Sequence, residues 1–489
     1  MKPHKNFKSV VFAFLVLNLL YSFNNTSTGQ TSTSSPYSRY GIGDITGKGF
    51  GQSASMGGTT IAVQNDTVPY FFINTANPAS YSNVRLTTAE LGAAYNRIQL
   101  ESSSNKQTIN NVSFKYIALA FPFKKWWGGS FGLVPFSSVG YKVSDHQDIT
   151  NIGGVDFLYQ GSGGINQVYF GSGIKPLYGL PRIFINSKKY TRLLKANNKA
   201  EIAKALKRKK SLQNLSVGAN ISYLFGSIEN SRRSIFSGSY YPLSSSSSLN
   251  TFKGTNTRVS DLYFDYGTQY SYTFDSLKGR DLKENVKLLL GATFSAQSNL
   301  SAKIDSISYN YYTRNNYEVV QDTIENIKGS KGSITFPLSF GFGVGLKKGD
   351  RWLFAADFAI QNWSNYQAFN QTQGLKNSMR VSIGTQYIPN SKSSGLENYY
   401  KRINYRMGLR YAQTALELKN TQLTEQAISF GLGFPVGRNY LLQNFSMVNI
   451  GLEIGHRGTT TNGLIQENFI KATVGFTIND RWFVKPKID

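Results

Sequence analysis

From Ile334 to Leu346 the chain places a large apolar residue at every even position and Gly, Ser, Thr or Pro at every odd one. A period of two is that of a β-strand, so this segment has one oily face and one face nearly without side chains. A soluble sandwich would put charges on the second face; Gly, Ser and Thr suit a lumen or a crowded interior instead. The pattern returns at Ile428, Phe430, Leu432, Phe434 and Val436, and again at Ile470, Ala472, Val474, Phe476 and Ile478. Alternating segments bounded by turn residues fall near 84–100, 111–123, 130–143, 164–175, 214–228, 260–275, 286–304, 332–347, 351–367, 376–388, 402–417, 426–437, 445–457 and 465–478. They number about 14, and an even count is what a closed bacterial barrel requires. The fold expected is all-β: a transmembrane antiparallel barrel.

The start of the chain points to export. Lys2, Lys5 and Lys8 precede an apolar run from Val10 to Phe23 that is too short to span a bilayer, the pattern of a secretory signal peptide. Small residues at Ser27 and Gly29 suggest cleavage before Gln30. The absence of cysteine excludes a lipoprotein anchor and disulfides. No other run approaches 18 apolar residues, which excludes a helical membrane protein, while 33 Phe and 30 Tyr at a mean hydropathy of −0.30 fit strands with aromatic girdles. The organisation expected is a signal peptide over 1–29, an internal segment over 30–82 and a barrel over 83–489. The location expected is the outer membrane of a Gram-negative bacterium.

Short turns such as Lys347–Asp350 are read as periplasmic, and the long stretches 229–259 and 305–331 as extracellular loops. Trp126, Trp127, Trp352 and Trp482 then mark the lower rim and Trp363 the upper. Eleven residues at ~3.3 Å each and a tilt near 45° give roughly 26 Å between Trp352 and Trp363, close to an apolar band. Strict alternation turns Trp363 inward, which demands a bulge or an internal Trp.

Upstream of the first strand, Met56-Gly57-Gly58-Thr59-Thr60-Ile61-Ala62-Val63, then Asp66, then Phe72-Ile73-Asn74-Thr75-Ala76-Asn77-Pro78-Ala79 resembles the amino-terminal hatch of the FadL-like long-chain fatty-acid transporters, especially their Bacteroidota relatives. More weakly, the resemblance extends along most of the chain through Gly161-Ser162-Gly163-Gly164-Ile165-Asn166 and Leu215-Ser216-Val217-Gly218. It implies a 14-stranded barrel plugged by a hatch, with Met56, Gly57, Gly58, Asn77, Pro78 and Ala79 among the hatch residues. Ser80-Tyr81 stands where relatives carry Gly-Leu. Asn77-Pro78 reads either as a turn launching the first strand or as a hinge. Pro135 interrupts the third strand; it is either a simple bulge or, as the resemblance implies, the kink that opens the wall sideways for an apolar ligand.

Parity turns Asp357, Arg380, Arg406, Arg410, Glu453 and Lys471 into the lumen, since charges facing lipid are costly. They serve either as a salt-bridge lattice between hatch and wall or, through Arg406 or Arg410, as ligands for a carboxylate.

The chain carries 53 Lys plus Arg against 27 Asp plus Glu, a net charge of +26. The insert 175–214 concentrates it, with 11 basic residues and Glu201 alone as acid between Arg182 and Lys210. Leu193, Leu194, Ile202 and Leu206 suggest a short amphipathic helix carrying Lys195, Lys199, Lys204, Lys207, Arg208, Lys209 and Lys210. That helix is a solvated element, a periplasmic docking arm or a contact to lipid phosphates.

Only His146 and His456 follow the signal segment, and no nucleophile, metal-ligand or phosphate-loop spacing accompanies them. No enzyme, cofactor, metal or nucleic-acid partner is expected. The partners expected are outer-membrane lipid, a hydrophobic small molecule and an envelope protein complex. The functions that follow are passive uptake of small hydrophobic compounds such as fatty acids or, alternatively, a non-transporting subunit of an outer-membrane secretion or assembly complex.

Overall fold

The alternating run from Ile334 to Leu346 is split in two. Strand β10 (Tyr317–Phe336) ends and β11 (Ser339–Lys348) resumes after Pro337 and Leu338, because a proline has no N–H to give the ladder. This computed structural model describes residues 35–64, 72–178, 213–237, 248–274, 286–393, 395–439 and 444–480. In β11, Phe340, Phe342, Val344 and Leu346 are exposed on the outer face, whereas Gly341 and Gly345 are buried.

In chain order the remaining strands begin with a short β1 (Asp44–Ile45), followed by β2 (Thr87–Glu101), β3 (Lys106–Lys124), β4 (Trp127–Ile149), β5 (Gly153–Ile174), β6 (Ser216–Phe236) and β7 (Asn250–Thr273). Next come β8 (Val286–Ser295), β9 (Ser298–Arg314), β12 (Trp352–Gln361), β13 (Gln367–Ala368) and β14 (Gln371–Thr372). The series ends with β15 (Ser378–Tyr387), β16 (Asn404–Leu418), β17 (Thr421–Asn439), β18 (Asn444–Gly458) and β19 (Gln466–Asp480). With β8–β9 and β10–β11 each counted as one interrupted stave, they form a closed 14-strand antiparallel barrel. Closure is made by β19 on β2, in register from Gln466 opposite Glu101 to Asp480 opposite Thr87.

Two expectations are corrected. The stretches 229–259 and 305–331 are not long loops: β6 runs on to Phe236, β7 starts at Asn250, and β9 turns directly into β10 at Asn315-Asn316. Both asparagines have positive φ, 49° and 63°, which Asn tolerates and a tight hairpin needs. Alternation fades there because a hairpin projecting beyond the bilayer meets water on both faces, while its backbone pairing continues. Trp363 lies in no strand. β12 stops at Gln361, and the short 3-10 turn Trp363–Asn365 turns the indole inward, where it is 6% exposed.

That indole belongs to the largest apolar cluster, together with Phe136, Tyr263, Phe336 and Tyr366. Phe336 meets Trp363 edge-on with ring centroids 5.5 Å apart, and Tyr263 meets Phe336 in the same manner at the same distance. The cluster spans staves from β4 to β10, with Ile42 of the amino-terminal segment within it. Two further clusters pack the amino-terminal segment against the wall: Phe50, Ile73 and Tyr81 with Tyr116 and Tyr169, and Met56, Ala62 and Val63 with Leu289 and Leu353.

Replacing Trp363 with Ala leaves a cavity where four aromatic rings converge. The expected loss is about 3–5 kcal/mol of stability, read as a lower urea midpoint for the detergent-solubilised barrel.

Candidate functional site

The lumen is the candidate site, and the amino-terminal segment occupies it. Residues 50–64 and 72–86 are mostly buried, with Asn77 and Ala79 at 0% exposure, whereas Arg39, Ile45, Gly47 and Lys48 in 35–49 are exposed. Asn77 caps the turn Pro78–Asn83, its side-chain oxygen accepting from Ala79 N–H, and its Nδ2 donates to the carbonyls of Ile61 (2.8 Å), Thr268 (3.1 Å) and Ala292 (3.4 Å). One amide therefore ties two passes of the segment to two staves. Met56-Gly57-Gly58 makes the segment's sharpest bend, at φ of +67° and +83° for the glycines, and Gly57 N–H donates to Ser429 Oγ at 2.8 Å.

Small wall residues allow this approach. A Cβ on Gly218 would fall on Pro78, one on Gly343 on Ala62 N, and one on Gly408 on the Met56–Gly57 backbone. The nearly bare face seen in the sequence is thus the surface on which the segment lies.

The charges lie on the same inner face. Asp357 accepts from the backbone N–H groups of Thr60 (2.6 Å) and Ile61 (2.9 Å). Arg406 donates to Gln386 (2.8 Å) and Asn449 (2.7 Å). Arg410 bridges Glu425 and Glu453 at 2.5 and 3.1 Å, and Lys471 completes the chain with Glu453 at 3.2 Å. Arg380 differs: among the described residues no hydrogen bond or ion pair reaches it, and it faces a cavity of about 350 Å³. Lys48, Asp265 and Thr60 also line that cavity, with Trp363 and Leu375 on its apolar side.

Sequence reasoning missed two clusters. Arg457 binds Asp44 (2.8 Å) and Glu467 (2.7 Å), with Ser35 completing the group, and Lys48 binds Asp265 at 2.6 Å. The β18–β19 register, which sets Arg457 opposite Glu467, was the one available signal. Neither segment residue announces its partner locally.

Pro135 marks a parting of the wall. β3 and β4 pair only between Ile117–Leu133 and Lys124–Trp127, and β4 carries a register shift against β5 between Pro135 and Ser137. Beyond that level the edge of β4 is taken by the amino-terminal segment. Asp44 and Ile45 pair with Ser138 and Ser137, Thr46 N–H donates to Phe136 O, and Ser35 N–H donates to Gly140 O. Lys195, Lys199, Lys204, Lys207, Arg208, Lys209 and Lys210 lie outside the described residues. The strands flanking their insert, β5 and β6, end on the rim that carries Thr87 and Asp480.

The family model described as BamG matches residues 8–181 and 203–489. No curated protein matches the chain. The fold is similar to the toluene transporter TodX of Pseudomonas putida, with TM-score 0.52 and 14% identity over 89% of this chain and 100% of that one. It is likewise similar to a FadL homologue of Pseudomonas aeruginosa, with TM-score 0.52 and 10% identity over 89% and 99%. At these identities the likeness is one of fold: a barrel resembling Gram-negative outer-membrane transporters.

The parting is testable with cysteine pairs. Ile45→Cys with Ser137→Cys joins register partners and is expected to form a disulfide in membranes without reductant. Ser113→Cys with Ser137→Cys, which would face each other if the β3–β4 register continued, is expected to stay reduced. Efficient oxidation of the second pair would show a zipped wall.

Proposed function

The chain belongs to the BamG family, and on that premise we propose that it is an outer-membrane barrel sealed by its own amino-terminal hatch, serving as a non-transporting subunit of an envelope secretion or assembly complex. The observation that carries this reading is the packed lumen. An aromatic cluster packs one side, the hatch backbone lies directly on wall glycines, Asp357 is bound by the hatch, Arg406 by the wall amides of Gln386 and Asn449, and Arg410, Glu453 and Lys471 by one another. Displacing the hatch would break the two hydrogen bonds that Asp357 accepts from Thr60 and Ile61 and uncover the apolar faces packed on the wall. A barrel of this kind acts through its surfaces. On this reading the hatch spans 30–82, and the basic insert 175–214 is a periplasmic docking arm for an anionic partner, weakened by salt.

A second reading, passive uptake of small hydrophobic compounds, draws on two specific observations. The wall parts beyond Leu133 beside the kinked third stave, and the 350 Å³ cavity carries the unpartnered Arg380, suited to a fatty carboxylate.

One experiment separates the two. Liposomes carrying the purified barrel are expected to take up labelled toluene and oleate no faster than empty ones, while affinity-purified barrel from cells brings an envelope protein in fixed stoichiometry. Uptake that exceeds the empty control, and for oleate falls in Arg380→Met, would establish the second reading and overturn the first.

A further inference from the structure

A recess of about 810 Å³ lies on the outer face of the wall, across β15 to β19 and β2. Its floor is one cross-strand rung: Ile383 opposite Leu409, then Ile428, Ile454 and Ile470, ending at Arg97. Ile383, Leu409, Ile454 and Ile470 are 42–55% exposed, so this rung faces the bilayer. The next outward rung, away from the rim that carries Thr87 and Asp480, is polar in its middle and on its β2 side: Gln426, His456, Asn468 and Gln99 in register. On β17 to β19 and β2 the apolar floor therefore gives way to polar side chains between these two rungs, toward the rim that is extracellular on the reading of short turns as periplasmic.

The recess has a cause in the packing. Behind the floor, the inward rung Gly384–Gly408–Ser429 holds the wall against Met56 and Gly57, where no side chain can keep it away. Arg97 stands at the end of the floor, exposed. The acid farther up its face, Glu101, is held by Lys106 at 2.7 Å, and among the described residues no ion pair reaches Arg97. A guanidinium on the lipid face is costly unless it meets a counter-charge, and its planar fork fits a phosphate.

We propose that this recess binds an anionic, phosphate-bearing lipid of the outer leaflet, one whose phosphate carries no cationic headgroup. The acyl chains lie on the Ile–Leu floor, and the phosphate sits on Arg97 with the side chains of Gln99 and His456 beside it, Asn468 being turned to Glu101 and Gln466. The site is independent of whether the lumen conducts.

Native mass spectrometry of the full chain released from detergent tests this, with lipid A, phosphatidylglycerol or phosphatidylcholine of matched acyl chains added. Retention of the phosphate-exposing lipids is expected to exceed that of phosphatidylcholine and to fall about tenfold in Arg97→Ala, the effect of losing one charge-assisted contact. Arg97→Lys should retain an intermediate amount, and Leu409→Trp, which fills the floor, should lower retention with Arg97 intact. A stronger signal from lipid A than from phosphatidylglycerol would assign the site to the glycolipid; the reverse would assign it to a glycerophospholipid. Unchanged retention in both Arg97→Ala and Leu409→Trp, equal retention of phosphatidylcholine, or displacement by inorganic phosphate alone would overturn the proposal.

Discussion

Everything in this protein depends on a close approach of backbone to backbone inside the barrel. The amino-terminal segment lies on a wall whose inward positions are Gly and Ser at the points of contact, and a single Cβ at Gly408 or Gly218 would collide with it. Because the segment lies so near, its N–H and carbonyl groups are reached by the wall side chains of Asp357 and Gln269, and its own Asn77 amide donates to the backbone carbonyls of Thr268 and Ala292 on β7 and β8. Polar groups buried at such a contact need partners, and Asp357 Oδ2 and Gln269 Nε2 supply them to the segment's N–H and carbonyl groups.

The same contact accounts for two irregularities of the wall. Where β4 leaves β3, its free edge would be untenable at membrane depth, and β1 with the residues before it covers that edge from within. Across the barrel, the wall rests on Met56–Gly57, and the outer surface carries its recess there. The segment inside the barrel thus bears on the outer surface as well.

Much of the wall was legible in the sequence. Alternation at Ile428–Val436 and Ile470–Ile478 reflects which face meets lipid, and the sidedness of Asp357, Arg406 and Glu453 follows from it, because parity is local. The legibility fails where locality fails. Hairpin β9–β10 carries polar residues on both faces outside the bilayer, so its sequence reads like a loop although its backbone is paired. Trp363 follows parity only by leaving its strand, a choice made by the aromatic pocket that receives it.

By itself, the sequence determined a closed, lipid-facing barrel with a glycine-rich inner surface, since a period of two assigns each residue to a face with reference only to its neighbours. Tertiary structure alone decided which inward residues meet. Arg457 finds Asp44 from 413 positions away, Asn77 reaches carbonyls on two staves, and Pro135 becomes a parting because β1 is there to cover the edge. Those pairings are set by register around a closed ring and by the path of a chain threading its centre. Neither leaves a periodic trace along the sequence.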